Sequence, residues 1–207
     1  MKNLILLFII LTLFLRCEKE PQKIFIVSVM DTIEENYWID IYDSPYFLDV
    51  NEDNINDIRF DLDDSFGSSG CYSSSLLTGL NNTQIAFSQE YDTTWTDWGI
   101  LDTIIWNYIN YKQVRALSLH DTICRDMETS NEELIITEFS DPYCNFGAPG
   151  DYTPLRLDNL LYGVWYIGII PEKGLAWVKI EVLGFSKLVI HEFGYTKELD
   201  QFIITEK

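Results

Sequence analysis

Apolar and polar residues alternate along most of this chain with the period of two that belongs to strands. Ile58, Phe60 and Leu62 alternate with Arg59, Asp61 and Asp63, and Ala176, Val178, Ile180 and Val182 share one face of residues 175–182. Such a pattern buries one face and wets the other. Similar stretches occupy residues 22–30, with Ile24, Ile26, Val27 and Val29, and 36–42, where Tyr37, Ile39 and Ile41 face away from Trp38, Asp40 and Tyr42. Residues 82–87, 99–109, 113–119, 132–139, 163–169 and 187–195 complete the set. Composition marks the connections: serine and glycine over 66–75, a polar-aromatic stretch over 91–98, and proline and glycine over 140–154. Pro171-Glu172-Lys173-Gly174 turns the chain inside a C-terminal β-meander. Helical periodicity is absent after residue 16. The pattern predicts an all-β, antiparallel fold, a β-sandwich or jelly-roll-like domain.

The first sixteen residues break the pattern. Lys2 precedes an apolar run from Leu4 to Leu15, interrupted only by Thr12. The run is short for a membrane span, which needs about twenty residues, and suits a signal-peptide core. It stops at Cys17, as in a bacterial lipoprotein signal, whose cysteine carries the lipid. Leu15 and Arg16 stand where such signals place small residues, so an uncleaved anchor is the competing reading. The expected organisation is a signal peptide over 1–16, a lipidated cysteine and short tether over 17–22, and a single β-sandwich domain over 23–207. Glu18-Lys19-Glu20 resembles the charged surface-export tag of Bacteroidetes lipoproteins. These features place the protein at the cell envelope, as a surface-exposed outer-membrane lipoprotein held to the membrane through its lipid.

The segment with the clearest chemistry is residues 49–57. Asp49, Asn51, Asp53 and Asp57 stand at relative positions 1, 3, 5 and 9, and the carbonyl of Ile55 falls at position 7. Calcium takes six to eight oxygens at about 2.3–2.6 Å, and a tight loop supplies them at alternate positions. Position 6 needs a sharp bend, and Asn54 tolerates the left-handed conformation. An EF-hand is excluded: Phe60 replaces the bidentate Glu at position 12, and a strand pattern follows instead of a helix. The expected cofactor is Ca2+, as a structural clamp between strands. The competing reading is an Asp/Asn-rich turn without an ion.

Charge narrows the partners. Thirty-three acids against fourteen bases leave a net charge of -19, spread along the chain. Such a chain repels nucleic acid and anionic membrane surfaces. Past Cys17 the cysteines are Cys71, Cys124 and Cys144; Cys124 and Cys144 are the nearest pair in sequence and the disulfide candidate, though spacing does not settle connectivity. Without C-x-x-C, a zinc ribbon or thioredoxin-like site is not expected. His120 and His191 lie outside any H-E-x-x-H, the serine-rich stretch has no G-x-S-x-G elbow, and no glycine-rich phosphate loop opens a helix. An enzyme is therefore not expected, although paired acids of a glycan-processing hydrolase leave no mark in sequence. Trp95 and Trp98, with Trp106, offer a surface for stacking a sugar, or else cover the sheet edge. Asp-Thr-Ile recurs at 31–33, 102–104 and 121–123. It resembles an O-glycosylation acceptor of Bacteroidetes envelope proteins and equally suits ordinary strand composition.

Two ends of the chain together resemble a known group. The Asp/Asn loop runs into a strand near the start. Near the end stand Tyr166-Ile167-Gly168, then Gly174-Leu175-Ala176-Trp177-Val178-Lys179, then a strand ending in Tyr195. This layout resembles a family of secreted Bacteroidetes-type β-domains with no assigned activity, over both ends of roughly residues 23–200. The resemblance implies a β-fold and a location outside the cell, and carries no activity with it. Members typically bear a C-terminal sorting domain; this chain ends at Lys207 without one, which accords with anchoring through Cys17. The expected function is a non-catalytic, calcium-binding surface lipoprotein with a glycan or protein ligand; the alternative is a carbohydrate-binding module or an accessory of a glycan-processing hydrolase.

Overall fold

Fifteen strands form among the described residues, and no helix does. The computed structural model describes residues 23–36, 41–67, 70–97, 104–141, 163–197 and 202–205, and within them the side chains of 36, 66–72, 90–97, 104–111 and 138–141 are not described. The signal segment, Cys17, Trp98 and Cys144 lie outside the described residues. The strands are β1 (Phe25–Asn36), β2 (Ile41–Tyr42), β3 (Tyr46–Leu48), β4 (Ile58–Gly67), β5 (Gly70–Gly79), β6 (Gln84–Asp97), β7 (Ile104–Val114) and β8 (Ala116–Leu117). They continue as β9 (Thr122–Cys124), β10 (Thr129–Ser130), β11 (Leu134–Asp141), β12 (Gly163–Ile170), β13 (Ala176–Gly184), β14 (Lys187–Tyr195) and β15 (Phe202–Ile204).

Thirteen strands make one sheet along the path β2-β1-β14-β13-β12-β6-β7-β11-β5-β4-β3, with β8 and β10 pairing onto β12 and β6. The two ends of that path, β2 and β3, are neighbours in sequence, joined through Asp43, Ser44 and Pro45. The sheet therefore curls until its ends approach. Ser44 Oγ accepts the Leu62 N–H at 2.9 Å, and the Tyr46 hydroxyl donates to Asp31 at 2.6 Å across the gap. The all-β expectation holds. The purely antiparallel one needs correcting, because β11 meets β7 in parallel at Ile135 and Gln113, so the sheet is mixed.

Two connections expected from composition are strands instead. Residues 66, 67 and 70–75 belong to the strands β4 and β5, in register from Ile58↔Gly79 to Gly67↔Gly70; residues 68 and 69 lie outside the described residues. Its serines are strand residues with polar partners. Ser73 donates to Asp64, and the hydroxyls of Ser75 and Thr137 donate to the Phe185 carbonyl at 2.5 and 2.8 Å. These bonds pin the β13–β14 turn onto β5 and β11. Removing one such buried bond costs about 1 kcal/mol. Ser75→Ala should therefore lower the urea midpoint by a corresponding amount without altering the slope. The second correction is residues 91–97, which extend β6 and place Trp95 opposite Trp106 of β7. Threonines at 93, 94 and 96 suit a strand better than a connection.

The core lies on both sides of the C-terminal meander. Val178, Ile180 and Val182 of β13 face inward with Ile33, Phe60 and Leu188. Trp177 points the other way, into a second cluster with Tyr166, Leu175, Leu117, Ile123 and Ile203, roofed by the two-stranded β9–β15 sheet. The motif residues that mark the meander thus have packing roles. Trp177 pairs in register with Gly168 on one side and Gly194 on the other. A Cβ at Gly194 would lie 2.4 Å from the indole ring. Gly174 has φ +79°, and a Cβ there would meet the Thr196 carbonyl at 2.0 Å. Tyr166 meets Trp177 edge-on at 5.3 Å, and Lys179 lies over the Tyr166 ring while pairing with Glu192 at 3.0 Å.

Candidate cation loop

Residues 49–57 are the whole connection between β3 and β4. Leu48 pairs with Ile58, and the Asp57 N–H donates to the Leu48 carbonyl at 2.9 Å, so the nine residues form a closed loop. Val50 anchors it by burying its side chain completely in the core. The outer part, Glu52 to Asn56, is exposed.

The oxygens of the loop turn toward its own backbone. Asp49 Oδ1 accepts the N–H groups of Asn51 and Asp53, and its Oδ2 accepts that of Asn54 at 2.7 Å. Asn51 Oδ1 accepts the Asp53 N–H at 3.0 Å, and Asp53 Oδ1 accepts the Ile55 N–H at 2.9 Å. Each is a local turn of the kind Asp and Asn favour. Asn54 is left-handed, φ +68°, as its position requires. Glu52 is left-handed too, φ +57°, which costs a side chain of its type roughly 1–2 kcal/mol.

Asp57 stands apart because it is buried, at 5 % exposure. Its carboxylate accepts the Val50 N–H at 3.0 Å and the Thr83 hydroxyl at 3.2 Å, with the Asn51 amide at 3.5 Å. Burial pushes its pKa up to about 6. Val50 and Thr83 pull the other way, and the charges of Asp49 and Asp53 push it further up. A buried carboxylate with no cation beside it is costly in its charged form.

Two other parts of the chain hold the loop. The turn after β5 supplies Thr83 and Asn81: the Asn81 amide donates to the Asn56 carbonyl at 2.9 Å, and the Leu80 N–H to the Asp57 carbonyl at 2.7 Å. That turn is left-handed at both Asn81 and Asn82, a signal that was present in the sequence as an Asn-Asn pair. From the opposite end of the chain, Tyr195 at the close of β14 donates its hydroxyl to Glu52 at 2.6 Å. Sequence reasoning missed both Thr83 and Tyr195. Nothing local marks them, since 26 and 143 residues separate them from their partners.

The donor set is chemically suited to a hard cation: carboxylates, an amide oxygen and a carbonyl, all oxygen. The structure places Asp49, Asn51, Asp53, Ile55 and Asp57 in one loop. Among the described residues, however, no group of three His, Cys, Asp or Glu side chains comes close enough to hold a metal. Ile55 projects an exposed side chain at this point.

The remaining candidates are scattered. Cys124 is a thiol, half-buried, bonded to the Asp126 carboxylate, which raises its pKa. His191 pairs with Glu181 at 3.0 Å on the meander, and His120 sits in an exposed turn. Trp95 and Trp106 are directly opposed on the β6–β7 hairpin. Thr32 and Thr122 of the Asp-Thr-Ile triplets are exposed, while Ile33 and Ile123 are buried. Comparison with known proteins found no matching family model, no matching curated protein and no matching solved structure.

Proposed function

We propose that the protein is a non-catalytic, calcium-binding domain displayed at the cell envelope through a lipid on Cys17, where it presents a surface to a glycan or protein ligand. The observation that carries the calcium reading is Asp57: a buried carboxylate at the end of an oxygen-rich loop, within the electrostatic reach of Asp49 and Asp53 of the same loop. A divalent ion drawn into that loop offsets the cost of its charge. Asp49, Asn51, Asp53, Asp57 and the Ile55 carbonyl would hold it. The ion's role is structural, fastening the β3–β4 connection to the turn after β5.

Titration calorimetry of the protein with calcium tests this. One site per chain is expected, lost in Asp53→Ala and kept in Asn56→Ala, whose exposed side chain is not among the proposed ligands. Absence of heat in the wild-type protein would refute the reading. For the anchor, palmitate labelling should be present in wild type and absent in Cys17→Ala.

The carbohydrate-binding alternative gains from one feature, the register pair of Trp95 and Trp106. Aromatic rings suit stacking against the faces of sugar rings. Binding on a glycan array that disappears in Trp95→Ala would favour this reading over a protein ligand.

A further inference from the structure

We propose that the end of the fold carrying Lys23, Phe25 and Lys197 docks on the headgroup phosphates of the membrane that holds the Cys17 lipid; this deepens the anchored reading and rests on it. Five residues separate Cys17 from Lys23. Such a tether spans at most about 20 Å, so whatever stands beside Lys23 stands close to the membrane. Phe25 opens β1 and pairs in register with Tyr195, the last residue of β14. Lys197 follows two residues later, so lysines from opposite ends of the chain meet at the root of the tether.

The Lys23 ammonium lies 4.7 Å from the centre of the Phe25 ring, and the Lys197 ammonium lies 5.0 Å from the same ring and 5.8 Å from that of Tyr195. Both lysines are exposed. Among the described residues neither forms a salt bridge, whereas Lys112, Lys179 and Lys187 each pair with a glutamate. Two unpaired cations over one ring run against the composition of a chain with 33 acids and 14 bases. The acids nearest this end are engaged elsewhere: Asp49 and Asp53 accept N–H groups of their own loop, and Glu52 accepts the Tyr195 hydroxyl. Like charges held over one ring repel, and an anion placed between them relieves this. Lysine stems along aromatic faces, with cationic heads beyond, suit the boundary between lipid and water. Ile55, 52 % exposed on the loop that Glu52 ties to Tyr195, adds an apolar side chain at the same end. The acidic remainder of the chain is repelled by an anionic surface, so the field that draws the lysines turns the body outward.

Acetylation by a water-soluble reagent, read lysine by lysine in a mass spectrometer, tests the inference. The lipidated full chain is compared in vesicles of phosphatidylethanolamine and phosphatidylglycerol and in nonionic detergent micelles, which hold no phosphate. Lys23 and Lys197 should each label about fivefold more slowly in vesicles, and high salt should remove the protection. Lys187, at the far end of β14, should label equally in both. Equal labelling of Lys23 and Lys197 in vesicles and micelles, or slowing of all lysines alike, would overturn the proposal. Inorganic phosphate that protects the two lysines equally well in micelles would mean a site for a free anion instead of a membrane contact. Lys197→Gln should leave Lys23 less protected in vesicles; undiminished protection would show that nearness to the tether alone shields it, and the inference fails. A chain without lipid on Cys17, seen in the mass of its N-terminal peptide, removes the anchored reading and this inference with it. A lipidated chain with unprotected lysines removes this inference alone.

Discussion

Trp177→Ala should destabilise the protein by about 3–5 kcal/mol, lowering the melting temperature by roughly 10 °C or more. The indole is fully buried between β9, β12 and β14, and its removal leaves a cavity on the outer side of the meander. Gly194→Ala should cost about 1–3 kcal/mol for the opposite reason. The new methyl group would lie 2.4 Å from two atoms of the indole ring, and the ring is too enclosed to give way. The two losses should not add. Without the indole, the methyl group at 194 has room and fills part of the cavity. The double variant should therefore be more stable than the sum of the singles predicts, by at least 1 kcal/mol. Chemical denaturation of the four proteins measures this, and additive losses would mean that the glycine is present for some reason other than the tryptophan.

The second large effect is a dependence on pH that runs against the usual direction for a carboxylate. Asp57 has a pKa of about 6 in the folded chain, above its ordinary value of 3.8. A raised carboxylate pKa means that the folded state holds the proton more tightly than the unfolded one. Stability is then highest below about pH 4, falls as pH rises from there to 6, and stays low above. Two pH units correspond to a loss on the order of 3 kcal/mol. Other acids titrate over the same range, so the quantity to measure is the difference between wild type and Asp57→Asn. In chelator, the asparagine variant should gain on wild type between about pH 4 and pH 6 and hold that advantage above. A constant difference across that range would show that the carboxylate is not strained by its burial.

How far the sequence foretold this depended on whether the decisive contacts were local. The meander was legible because Ala176, Val178, Ile180 and Val182 repeat with period two beside a Pro-Glu-Lys-Gly turn, and these are properties of one short segment. The closed loop over 49–57 was legible for the same reason, down to the left-handed Asn54. The serines of β5 misled, because their strand is secured by partners on β4, β11 and the Phe185 carbonyl, not by their own propensity. Polar residues buried in a strand have no signature until the acceptors are known. The closing of the sheet through β2 and β3 was hidden for a different reason: strands of two and three residues are too short to show a period. The hydrogen bond from Tyr195 to Glu52 has no local signature, because 143 residues separate the two.

The central claim is that a divalent ion neutralises the buried Asp57 and so fastens the loop. Thermal unfolding of wild type and Asp57→Asn at neutral pH, each in chelator and in excess calcium, tests it most directly. Wild type should gain about 2.7 kcal/mol when calcium stands at a hundred times its dissociation constant. Asp57→Asn should start above wild type in chelator and gain little. Wild-type curves that superimpose with and without calcium, or an asparagine variant that responds as strongly as wild type, would contradict the account.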